Sequence, residues 1–328
     1  MPARRPVLST VALACGGAAL AAASLVAGLW LTLPDPARLA RESPKTTALI
    51  EQRRAEARAG RVPFRPAQIW VSTDRISPAL VQAVLISEDA NFFGHDGVDW
   101  EAVREAAEHD LKVGRFARGA STLTQQLARN LWLGTEKSLW RKVKEAVLAA
   151  KLERALSKKR ILALYLNVVE MGDGVFGVEA GARHRFGTSA AALSPAQAAV
   201  LASLLPAPRR VDLDHPSTWL KARSRRLLDR MHDHGRLDDE AHRAASAELE
   251  RILAGPAPGD DGEEPPEDEQ ARAVAAPDPG DAQPPDLRPV SGAPPPGSGG
   301  PEPERALATG ARNGATGTAG HDATPPGQ

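Results

Sequence analysis

The stretch at 88–145 decides the reading of the chain. It opens Glu88-Asp89-Ala90-Asn91-Phe92-Phe93-Gly94-His95-Asp96-Gly97, continues Gly119-Ala120-Ser121-Thr122-Leu123-Thr124-Gln125-Gln126-Leu127-Ala128-Arg129-Asn130, and closes Arg141-Lys142-Val143-Lys144-Glu145. It begins and ends on a carboxylate. Two glutamates on opposite walls of a cleft suit a reaction in which one acidic group takes a proton and another manages charge on a leaving group. Each residue alone has a plainer reading. Glu145 sits at i+4 from Arg141 as an ordinary helix pair, Ser121 and Thr122 are helix-cap types, and Gln125 and Gln126 are surface amides. His95 has no matching His/Asp/Glu set around it, which argues against a zinc site.

Outward from this stretch the apolar spacing is helical. Ser77-Pro78 starts a helix with Leu80, Val81, Val84 and Leu85 inward, and this helix delivers Glu88 near its end. Asp99 caps a helix carrying Trp100, Val103, Ala107 and Leu111, and a loop at 114–119 follows. Ser121 is expected to cap a helix whose apolar side is Leu123, Leu127 and Leu131, leaving Gln125, Gln126, Arg129 and Asn130 on the other. A longer helix from Ser138 to about Leu156 puts Arg141, Lys142 and Glu145 within a turn of one another. Ser157 caps a further helix at 158–168.

The glycine-rich turn at 170–177 lacks the lysine of a phosphate-binding loop, so nucleotide binding is not expected. Ser194-Pro195-Ala196-Gln197 has the form of a capping box and opens an apolar helix to Leu205. Helices near 219–232 and 239–253 complete the ordered region. With few strand signals, the fold class is mainly α.

The two ends differ from this core. Residues 7–33 carry no charge and match a single bilayer-crossing helix, with Arg4 and Arg5 at its cytoplasmic end. A cleaved signal peptide and a lipoprotein signal at Ala12-Leu13-Ala14-Cys15 compete with a retained anchor. The expected organisation is 1–6 cytoplasmic, 7–33 transmembrane anchor, 34–75 a solvated juxtamembrane stalk, 76–255 the catalytic domain and 256–328 a disordered tail. That tail has no aromatic residue and 13 acidic against 4 basic side chains, too little apolar surface to offset chain entropy. Without it, 37 basic face 28 acidic residues out of the 41 of each. The basic remainder suits an anionic lipid headgroup or a pyrophosphate. Cys15 is the only cysteine, which excludes an intrachain disulfide.

Taken together, the blocks resemble the peptidoglycan glycosyltransferases of bifunctional penicillin-binding proteins and monofunctional biosynthetic transglycosylases. The resemblance spans about 76–210. It rests on Glu88, Asp89, Phe92, His95 and Gly97; on Gly119 to Asn130; on Arg141, Lys142 and Glu145; on Lys159 with Tyr165-Leu166-Asn167; and on Gly174-Val175-Phe176-Gly177. The phrase from Leu166 to Gly177 is closest to the monofunctional branch, and no transpeptidase Ser-x-x-Lys or Lys-Thr-Gly accompanies it.

The resemblance implies a lysozyme-like fold that polymerises lipid II into a growing glycan strand at the outer face of the cytoplasmic membrane. It makes Glu88 and Glu145 the catalytic pair. Substrate binding would fall to Asp89, Phe92, His95, Ser121, Thr122, Gln125, Gln126, Arg129, Asn130, Arg141 and Lys142. No cofactor is required, with room for a divalent cation, Mg or Mn, at Glu145. The membrane is a partner, nucleic acid is not, and other cell-wall synthesis or division proteins are open as partners. Departures from the family pattern are Arg129 for a usual lysine, Ala163 for a common glutamate, and Arg185 and Thr188 for a tyrosine and a lysine. A lytic enzyme on the same fold and a non-catalytic scaffold are the competing readings.

Overall fold

A computed structural model describes residues 5–113, 121–136 and 138–254. The loop at 114–119, the first residues of the Gly119 block and the acidic tail at 256–328 lie outside the described residues. The fold is mainly helical. Helix α1, Arg5–Thr32, contains a 20-residue window of mean hydropathy 1.8, long and apolar enough to cross a membrane.

Beyond a short 3₁₀ turn at Ala37–Ala40 comes α2, Ala48–Ala59, capped by the Thr47 hydroxyl, which accepts from the Ile50 amide. The expectation of a solvated stalk fails here. Leu49 and Ile50 are buried with Phe176 and Phe64. Arg53 forks onto the buried Glu170 carboxylate at 2.9 and 2.8 Å. Gln52 accepts from the Thr135 amide at 2.9 Å. Two adjacent apolar residues at the start of a charged helix make too narrow a stripe to stand out in the sequence.

The core helices fall close to their expected places: α3 is Pro78–Glu88, α4 Trp100–Val113, α5 Leu123–Ala128, α6 Leu139–Ala155 and α7 Lys158–Val168. Ser138 and Ser157 cap α6 and α7 by accepting from the amides three residues on. Asp99 does the same for α4, accepting from Ala102. At α5 the cap moves by one residue. Thr122, not Ser121, accepts from the Gln125 amide, and the Gln125 side chain accepts from the Thr122 amide. The reciprocal pair needs Gln three positions after the cap, and only Thr122 has it. Gln125 is therefore buried in its cap rather than displayed on the polar face. A π-helical turn, Arg129–Leu133, extends α5 and buries Asn130.

The glycine-rich turn forms a small sheet with β1 Ala67–Gln68, β2 Glu170–Gly172 and β3 Val175–Phe176, in the order β1-β3-β2. β1 is parallel to β3 and β2 antiparallel to it. Gly177 has φ +82°, and a Cβ there would lie 2.7 Å from the Asn167 carbonyl oxygen, so only glycine fits. The buried Asn167 amide exchanges hydrogen bonds with both backbone groups of Val71 at 2.8 and 2.9 Å, tying the chain before α3 to the end of α7.

Helices α8, Val178–Phe186, α9, Pro195–Ser203, α10, Thr218–Asp233, and α11, Asp239–Ile252, follow. The Ser194–Gln197 capping box is present as expected. The core lies where α3, α5, α7, α9 and α10 meet, with Leu80, Leu123, Leu127, Tyr165 and Leu201 fully enclosed.

Candidate active site

Glu88 ends α3, and donors from three elements, α3, α5 and α10, meet its carboxylate. Gln126 of α5 donates Nε2 to Oε2 at 3.0 Å. Ser87 donates its hydroxyl to Oε1 at 3.1 Å. Arg223 of α10 brings Nη2 to 3.5 Å from Oε1 and donates to the Ser87 hydroxyl at 3.0 Å. Behind them, the α7 Tyr165 hydroxyl donates to Gln126 Oε1 at 3.0 Å. That contact fixes the Gln126 amide, since an oxygen held by a phenol leaves only the NH₂ to meet the carboxylate. Burial, then the charge on Glu88, pushes the Tyr165 phenol well above its ordinary value, so it remains a donor.

Arg223 was not among the residues singled out in the sequence. It lies in a basic run, Lys221 to Arg226, that reads as a solvated face. The signal was its spacing: Arg223 sits on the stripe of Leu220, Leu227 and Met231, and it is buried with them.

Asp89, the next residue, turns away from Glu88. Its Oδ2 accepts from the Leu123 amide at 2.8 Å, and its Oδ1 lies 3.0 Å from His95 Nε2. Thr122 donates to the Gly97 carbonyl at 2.6 Å. These bonds fasten the Glu88–Gly97 block to the N-terminus of α5. Phe92 is fully enclosed beneath Lys158, whose Nζ is 4.5 Å from the ring centroid. In this geometry Asp89, Phe92, His95, Thr122 and Gln125 face inward and fasten the block.

A second cluster forms on α6. Glu145 is 1% exposed, with Arg141 Nη1 against Oε1 and Lys142 Nζ 2.8 Å from Oε2. These are ion pairs without aligned hydrogen bonds. Lys142 also donates to the Ser121 hydroxyl at 2.5 Å, so this residue, free of the cap, serves the α6 cluster instead. Burial, followed by repulsion from Arg129 and Arg141, pushes the Lys142 ammonium down to about 8. Arg129 also acts on Tyr165, so its charge reaches both clusters.

Arg141 and Lys142 against one carboxylate, with Arg129 near enough to repel both, leave a net positive cluster suited to an anion. The same donor set suits a divalent cation poorly, because each Glu145 oxygen already faces a side-chain cation. Among the described residues no group of three or more His, Cys, Asp or Glu is arranged to hold a metal.

A family model described as Transglycosylase matches residues 56–232. The chain belongs to the transglycosylase family. The match starts inside α2 and ends in α10, so it includes Arg223 and reaches beyond the blocks from which the resemblance was read. The chain is 42% identical over 189 residues to the biosynthetic peptidoglycan transglycosylase of Nitrosospira multiformis, covering 58% of this chain and 82% of that protein. It is 46% identical over 189 residues to the Dechloromonas aromatica protein of the same name, with the same coverage. With that of Chromobacterium violaceum it shares 41% over 213 residues, 65% of this chain and 92% of the other. The family match ends at residue 232, short of the acidic tail.

Proposed function

We infer that this transglycosylase is a peptidoglycan glycosyltransferase that polymerises lipid II into β-1,4-linked glycan, and that Glu88 is its base. The observation that carries the reading is an oriented carboxylate at Glu88 together with a cluster of cations on α6. Glu88 takes the proton from the acceptor 4-hydroxyl. That oxygen attacks the donor's anomeric carbon, the bond to the pyrophosphate oxygen breaks with its electron pair, and configuration inverts from α to β. Undecaprenyl pyrophosphate departs as an anion.

Arg129, Arg141 and Lys142 stabilise the charge developing on the pyrophosphate, and Ser121 holds Lys142 toward it. Glu145 keeps two cations together that would otherwise repel. A leaving group already this acidic needs no carboxylic acid to protonate it, unlike the sugar alcohol expelled in glycoside hydrolysis. Gln126, Tyr165 and Arg223 hold the base in one orientation, which favours attack over random encounter.

α1, long and apolar enough to cross a bilayer, supports a membrane anchor for the domain. The Arg4 and Arg5 end on the cytoplasmic side puts everything after α1 on the extracytoplasmic face, by the positive-inside rule. The test is polymerisation of labelled lipid II by the purified full chain in detergent, resolved on a gel. A lysozyme-sensitive ladder that disappears with Glu88→Gln supports both the activity and the base. An inert wild type, or a ladder that survives Glu88→Gln, overturns one or the other.

A further inference from the structure

The C-terminal end of α1 is fastened to the catalytic body by contacts that a simple tether does not need. Lys151 of α6 is only 9% exposed, and its Nζ donates to the Trp30 carbonyl at 2.9 Å and the Leu33 carbonyl at 2.7 Å. The last carbonyls of a helix have no partner within it, and that end carries partial negative charge. A buried ammonium there meets both needs. The same Nζ lies 5.7 Å from the Trp30 ring centroid, and Leu29 is buried on this side of α1. Further along, Arg160 of α7 donates to the Leu39 carbonyl at 2.7 Å and the Glu42 carbonyl at 2.9 Å. The chain leaving α1 is therefore gripped twice, by cations on consecutive helices of the catalytic domain.

α6 is the same helix that holds Lys142 and Glu145. Lys151 follows Lys142 by nine residues, about 13 Å of helix rise. One rod thus carries the anion-binding charges and, further along, the grip on the anchor. We propose that Lys151 is a positioning residue that locks α1 to α6 and so sets the height and tilt at which the site meets a donor embedded in a bilayer. The proposal rests on the glycosyltransferase reading. A swivelling tether would keep the domain near the membrane but at no fixed angle, whereas a donor whose pyrophosphate sits at one depth is met only from one height.

The test uses the full chain with spin labels on Cys15, exposed and the sole cysteine, and on an Arg154→Cys substitution in α6. In vesicles the distance distribution is narrow in the Lys151 protein and broad after Lys151→Met, which keeps an unbranched side chain one atom shorter but removes its donors. Lys151→Arg restores the narrow distribution. In parallel, Lys151→Met loses about tenfold in rate on long-chain lipid II in vesicles, the loss expected for one charge-assisted contact. It keeps its rate on a short-chain, water-soluble lipid II analogue.

Equal loss on both donors, or an unchanged distance distribution, overturns the proposal. If Lys151→Met fails to fold, Lys151→Gln is read the same way, and a narrow distribution there overturns it. A protein inactive on both donors before substitution would sink the glycosyltransferase reading instead, and the distances would still decide the lock.

Discussion

The two carboxylates of this transglycosylase live in opposite surroundings. Glu88 is met by an amide, a hydroxyl and a more distant guanidinium, supplied by α3, α5 and α10 with α7 behind. Glu145 is wedged between cations from its own helix, one turn away. A group that must change protonation in each cycle is best held by donors that fix its direction; a group that must keep cations assembled is best buried among them. On the roles proposed for them, the difference is that between a reacting group and a charge scaffold.

The largest effect expected from that contrast is in Glu88→Gln. Removing the proposed base should lower polymerisation about a thousandfold, with thermal stability essentially unchanged, since Gln126 and Ser87 can still bond an amide. Glu145→Gln should behave differently. Arg141 and Lys142 would face each other uncompensated, costing about 2 kcal/mol of stability after allowing for the partial exposure of Lys142. Rate and melting temperature should fall together, by about tenfold to a hundredfold in rate. Calorimetry in detergent beside the gel assay checks both variants, and a Glu145→Gln protein that loses rate alone would erase the contrast.

A smaller effect concerns pH. The Lys142 ammonium is pushed down to about 8, so it is present below that pH and lost above it. kcat/KM should therefore decline as pH rises through about 8, by up to about tenfold per unit. Lys142→Arg should move the decline to higher pH, because a guanidinium stays charged; an unmoved limb would assign the titration elsewhere. The smallest effect is Tyr165→Phe. Gln126 loses the contact that orients it, and kcat should drop about fivefold with KM steady, the worth of one neutral hydrogen bond.

The sequence made most of the helices legible, because serine, threonine and aspartate caps sit just ahead of well-spaced apolar residues. α7 and α9 fall close to where Ser157 and the Ser194–Gln197 box place them. At α5 two hydroxyl residues stand side by side, and the Gln three positions after Thr122 was the signal that distinguishes them. In the candidate site, Glu88 and the α6 charges were visible as local motifs. Arg223 was legible only as a basic residue on the apolar stripe of α10, not as a partner of Glu88, which it reaches from 135 residues further along the chain. The inward role of Phe92 and Gln125 was equally hidden: a motif records residue types, not which way they face.

The contact between Gln52 and Thr135 has a practical consequence for anyone wishing to work without the membrane segment. Gln52 grips the Thr135 amide at 2.9 Å and its hydroxyl at 2.6 Å, and Gly134 leaves room for it, since a Cβ there would sit 2.6 Å from Gln52 Oε1. The bridge holds the short connection that leads into α6 and its charges. A truncated, water-soluble protein should therefore begin before Thr47, so that the α2 cap survives; a cut placed after Ala59 would discard this brace and expose Phe176 along with it.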